Sequence, residues 1–180
     1  KLGTKAPIVE SVKIKTSSGE VDADLYRPRD GRKHPAVTFT IGIGITRKHE
    51  QVVGISEALA RLGFVVLTPD IPDLLSGFVW RDSVETLIAS FEYLDRQEYV
   101  DKKRIGFAGF CVGSSAAILA AENPAISNKV NFVSAISPYF DMRAGSEAVV
   151  TGHARNGNGD LVVWKADKIS MDAVVRGYVN

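Results

Sequence analysis

Apolar and polar positions alternate along "IVESVKIK", residues 8–15, and again along "VDADLYRP", residues 21–28, with "TSSGE" supplying turn chemistry between them. The pattern predicts an opening β-hairpin. The polar loop "RDGRKH" leads past Pro35 into "AVTFTI", residues 36–41, an unbroken apolar or β-branched run of the kind a strand buried on both faces shows. In "KHEQVVGISEALARL", residues 48–62, Val52, Ile55, Leu59 and Leu62 recur at helical spacing, and Gly63 follows as a stop. "FVVLTP", residues 64–69, reads as another buried strand, followed by a loop and a long helix from near Trp80 to Gln97. A strand over Arg104–Ala108, a helix over Val112–Glu122 stopped by "NP", and a sixth strand in "VNFVSAIS", residues 130–137, complete the series. Alternation of strands with helices predicts a three-layer α/β/α fold around a mostly parallel sheet.

After Pro138 the pattern changes. Residues 139–180 contain a Gly/Asn-rich turn at 156–159, a short strand at 161–164 and a helix from near Ser170, but no further buried strand. The expected organisation is a core over residues 1–138, lacking the last strands of its fold, and a tail or cap-like insertion over residues 139–180.

Composition narrows the function classes. At 180 residues the chain fits one domain, and 45% hydrophobic with 24% charged residues excludes disorder. The balance of 22 Lys+Arg against 21 Asp+Glu gives no field for a polyanion, so nucleic acid is not an expected partner. No run of 18 apolar residues spans a membrane. Three scattered histidines and one cysteine offer no metal-ligand spacing, and no metal or other cofactor is expected. A single cysteine cannot form an internal disulfide, which favours a reducing, cytoplasmic compartment.

That cysteine is the centre of the functional reading. In "GFAGFCVGSSAAILAAE", residues 106–122, Cys111 stands between a strand and a helix, with Gly109 and Gly113 two residues to either side. A sharp strand-to-helix turn projects one side chain above the sheet and requires small neighbours where elements approach closely, which is the G-x-C-x-G form of a nucleophile elbow. Exposed N–H groups and the dipole at the following helix N-terminus favour an anion there. The bland alternative is an inert buried thiol.

At these residues the sequence resembles the α/β-hydrolase fold and, within it, the dienelactone hydrolase family. The resemblance runs over residues 8–137 through "AVTFTIGIGIT", "LARLGFVVLTPDI" and "DKKRIGFAGFCVG". It implies that Cys111 attacks a carbonyl carbon to give an acyl-enzyme, with an oxyanion hole formed by the backbone N–H groups of Val112 and Ile43. The implied substrate is a small-molecule ester or lactone. Gly42 and Gly44 in "TIGIGIT" allow the backbone to turn its amides towards a ligand. His49, Trp80 and Trp164 are further candidates for the cleft, with Asp70, Asp73 and Arg81 near the strand ends and Tyr178 beside Trp164 in the tail.

Two departures stand out. The family's glutamate at the end of the third strand corresponds to Gly42, and the acid and histidine that the family places after later strands are expected beyond Asn180. His153, the one histidine after Cys111, lies in "TGHARNGNG" and is expected on a solvated loop, as His34 and His49 are expected to be exposed. Two further readings remain: a non-catalytic hydrolase fold whose open sheet edge serves binding or homo-oligomerisation, and a thiol that responds to oxidants.

Overall fold

The computed structural model describes residues 5–77, 81–139 and 141–179; the side chains of Arg81, Met142, Ile169, Ala173 and residues 176–179 lie outside that description. The expectations for Trp80 and for the side chains of Arg81 and Tyr178 therefore fall outside the described residues.

The opening hairpin is formed by β1, Ile8–Thr16, and β2, Gly19–Arg27, paired antiparallel. The two buried runs become β3, His34–Thr40, and β4, Val65–Pro69, joined by helix α1, Glu50–Arg61. A short helix α2, Pro72–Ser76, precedes the long helix α3, Arg81–Asp95. Strand β5, Val100–Phe110, leads directly into α4, Cys111–Ala121, and β6, Phe132–Ile136, follows. Strand order is β1-β2-β4-β3-β5-β6; β3, β4, β5 and β6 run parallel, while β2 joins β4 antiparallel.

Residue alternation explains the layers. On β3 and β4, Ala36, Val65 and Leu67 point to one face, where Leu87, Phe91 and Leu94 of α3 and Ala116, Ala117 and Ala120 of α4 cover them. Val37, Phe39 and Val66 point to the other face, under Val52 and Ala60 of α1. A strand covered on both faces is apolar at every position, which is why these runs do not alternate. Burial also pushes the phenol of Tyr26, which packs on the α1 side, up to about 12.

Strand β5 begins four residues before the expected Arg104. Val100 is buried and pairs with His34, and the polar residues 101–104 bulge out before Ile105 resumes the register opposite Ala36. Asp101 closes that bulge by accepting from the Lys103 N–H and the Arg104 guanidinium. His34, expected exposed, is only 12% exposed at its side chain, because its Nε2 meets Asp30 at 2.6 Å.

The tail carries more structure than its sequence pattern suggests. Helix α5, Met142–Thr151, is capped by Asp141, whose carboxylate accepts from the N–H groups of Arg143 and Ala144. Strands β7, His153–Arg155, and β8, Leu161–Val163, form a separate antiparallel ribbon closed by the Asn156–Gly159 turn, and helix α6 spans Lys168–Val179.

Candidate functional site around Cys111

Cys111 is exposed and adopts φ 56°, a left-handed conformation that non-glycine residues rarely hold. Such strain persists only where surrounding structure enforces it. Here three glycines do so. A Cβ on Gly109 would stand 3.0 Å from the Ser114 amide nitrogen, one on Gly113 would collide with the Ile41 carbonyl, and one on Gly42 would stand 3.1 Å from Cys111 Cβ and 3.2 Å from its Sγ. The two glycines that flank the cysteine are thus required by close approach of α4 to β5 and to the end of β3. Gly42 is buried directly against the thiol, so any larger residue there would crowd the sulfur.

Ser114 and Ser115 hold the turn by hydrogen bonds. The single Ser114 hydroxyl hydrogen is shared between the Cys111 carbonyl at 2.5 Å and the Ile136 carbonyl at 3.2 Å, tying the elbow to the end of β6. Ser115 Oγ accepts from the Tyr139 N–H at 2.8 Å, which fixes the start of the tail above α4.

Cys111 opens into a cleft of about 850 Å³. Ile43 and Val112 line it together with Cys111, so the three residues for which the resemblance implies nucleophile and oxyanion-hole roles share one cleft. Tail residues form the other walls, including Tyr139, Ala148, Leu161, Trp164 and Val174. Trp164 is 38% exposed and lines this space. His49 is not among the lining residues: it caps α1 instead, its Nδ1 accepting from the Gln51 N–H. Gly44 adopts φ 75° and turns the loop after β3, donating its N–H to the Leu74 carbonyl at 2.9 Å.

His153 does line the cleft, from β7 rather than from a loop. Its Nδ1 lies 2.9 Å from the Thr151 carbonyl, an atom that only accepts, so Nδ1 is the donor in this contact. Asp70 and Asp73 bind protein partners: Asp73 accepts from Ser83 Oγ, and Asp70 accepts from the backbone N–H and the guanidinium of Arg47. Burial of Arg47 lowers its affinity for a proton, but Asp70 and Asp24 more than offset this and hold it charged. Among the described residues no group of acidic, histidine and cysteine side chains could hold a metal ion, and no helix is long and apolar enough to cross a membrane.

The sequence and the fold both have known relatives. The profile of the dienelactone hydrolase family matches residues 71–178. A Bradyrhizobium sp protein described as a probable 2-oxo-3-(5-oxofuran-2-ylidene)propanoate lactonase is 34% identical over 146 residues, covering 73% of this chain and 58% of the relative. Among solved structures, an esterase of Pyrobaculum calidifontis is 27% identical with a TM-score of 0.58, over 75% of this chain and 45% of that one. The esterase Est22, solved with p-nitrophenol, shares the fold at a TM-score of 0.68 and 14% identity, over 96% of this chain and 56% of its own. The chain thus spans about half the length of the proteins it matches.

Proposed function

This chain belongs to the dienelactone hydrolase family, and we propose that it hydrolyses small carboxylic esters or lactones through a covalent thioester on Cys111. The observation that carries the reading is the enforced left-handed backbone of an exposed Cys111 between Gly109 and Gly113, facing a cleft shared with Ile43 and Val112. A conformation that costs energy is held in place where it projects a nucleophile into open space.

In this reaction the Cys111 thiol gives its proton to a base, Sγ attacks the carbonyl carbon and the carbonyl π electrons move onto oxygen. The N–H groups of Ile43 and Val112 stabilise that oxyanion. Its collapse breaks the C–O bond, and the departing alkoxide takes a proton to leave as the alcohol. Water then cleaves the thioester, releasing the acid and restoring the thiol. The base and its orienting acid are assigned to the part of the family's length that this chain does not match. Residues 139–179 act as a cap, and their apolar wall of Tyr139, Ala148, Leu161, Trp164 and Val174 takes the uncharged acyl or alkyl part of the substrate.

The test is hydrolysis of p-nitrophenyl butyrate by the protein and by Cys111→Ala at matched circular dichroism. Loss of at least about a thousandfold in kcat/KM is expected. Retained turnover in Cys111→Ala would remove Cys111 from the chemistry.

A further inference from the structure

The loop after β3 is joined to β2 and to the end of β4 by a largely buried charge cluster that the chemistry above does not use. Asp24, on β2, is 1% exposed and accepts from Ser11 Oγ at 2.8 Å, Lys48 Nζ at 2.6 Å and Arg47 Nε at 3.3 Å. Asp70, just past β4, accepts from the Arg47 backbone N–H at 2.7 Å and from its guanidinium, while its own N–H donates to the Asp22 carbonyl at 2.8 Å. The Arg47 side chain is 16% exposed, so these contacts are made largely out of water. Charge-assisted hydrogen bonds in such surroundings are among the stronger ones a side chain makes.

The cluster has a mechanical consequence. Arg47 and Lys48 lie in the loop between β3 and α1, four and five residues after Ile43, and this loop makes its other firm attachment where the Gly44 N–H meets the Leu74 carbonyl. Ile43 is therefore followed by two anchors, one to α2 and one through Arg47 to both β2 and β4. On the reading that the Ile43 N–H stabilises the oxyanion, its placement decides how much stabilisation it gives, because a displacement near 1 Å removes most of a hydrogen bond's value in a transition state.

We propose that Arg47 is a positioning residue for the oxyanion hole: bridging Asp24 and Asp70, it locks the loop that carries the Ile43 N–H beside Cys111. It touches neither substrate nor thiol and acts through the backbone of residues 43–47. This inference rests on the ester-hydrolase reading, and its test separates the two.

Two reactions of Cys111 differ in whether they need an oxyanion. Acylation by p-nitrophenyl acetate, followed as the first release of p-nitrophenolate, forms one; alkylation by iodoacetamide, followed by intact mass, displaces iodide and forms none. In Arg47→Met the acylation rate is expected to fall by about 10- to 100-fold with the half-saturating ester concentration little changed, while alkylation stays within about twofold. Arg47→Lys, which keeps the charge but reaches one carboxylate at a time, is expected to recover part of the loss. Unchanged acylation in Arg47→Met would overturn the proposal, as would a parallel fall in both reactions, which would report general disruption of the elbow. If the unaltered protein itself is alkylated by iodoacetamide but never acylated by the ester, the hydrolase reading falls first and this inference with it.

Discussion

The sheet core and the segment after Ser137 obey different rules. In the core, side chains such as Val65, Leu67, Phe91 and Ile105 are wholly buried between layers, and the backbone is fixed from both sides. Among the described residues after Ser137, Val150, Leu161, Val163 and Val175 are exposed, Val163 to 83%, and Ala148, Leu161 and Val174 line the cleft. The core packs Cys111 into one left-handed conformation, and the tail walls the cleft in front of it. On the proposed function, stability and the geometry of the thiol belong to the first region and substrate selectivity to the second.

Gly113→Ala should produce the largest effect, since its Cβ would meet the Ile41 carbonyl and neither α4 nor β3 can retreat from a close-packed core. A loss of about 3 kcal/mol in unfolding free energy is expected by denaturant titration. A loss below about 0.5 kcal/mol would mean that the core does not fix the elbow. Replacing Cys111 itself separates strain from chemistry. Cys111→Gly should unfold at higher denaturant than Cys111→Ala, by about 1 kcal/mol, because only glycine adopts φ 56° without penalty. Equal stability of the two would remove the strain argument.

In the tail the expected effects move from stability to binding. Trp164→Ala should raise KM for a p-nitrophenyl hexanoate about fivefold, the equivalent of ~1 kcal/mol of apolar contact, while leaving KM for the acetate and the melting temperature nearly unchanged. A fall in melting temperature with no change in KM would place Trp164 in the fold rather than the cleft. The smallest expected effect, silent at neutral pH, lies with Tyr26 and Tyr99, whose phenols are both pushed up to about 12, chiefly by burial. A raised folded-state pKa means that the neutral phenol is favoured in the fold. Its contribution is complete below pH 10 and is lost as pH rises from 10 towards 12. Titration by absorbance at 295 nm should show these tyrosines ionising late and together with unfolding; ionisation at pH 10 in the folded protein would contradict this.

How much of this was legible follows from the same contrast. Continuous apolar runs in β3 and β4 and the helical spacing of α1 announce themselves because both faces of the sheet are covered. The elbow is legible because close approach admits only glycine at 109 and 113. Helix α5 is not: Gly145 interrupts its sequence, and small or polar residues such as Ala144, Ser146 and Glu147 stand among its cleft-lining positions, so no apolar stripe marks it. Strands β7 and β8 have three residues each, too few to set a period, so His153 reads as a loop residue although it stands in a strand. His34 reads as exposed because its partner Asp30 lies in an adjacent polar loop. The Arg47 cluster is invisible for another reason: its pairs join residues 23 positions apart, and nothing local distinguishes Arg47 from a solvated charge.

The most direct measurement is the intact mass of the protein after brief exposure to p-nitrophenyl butyrate at mildly acidic pH, followed by peptide mapping. One butyryl group on Cys111, absent from Cys111→Ala and discharged by time or by hydroxylamine, is the expected result. Acyl groups on lysine or serine with Cys111 left free would contradict the assignment of Cys111 as the nucleophile.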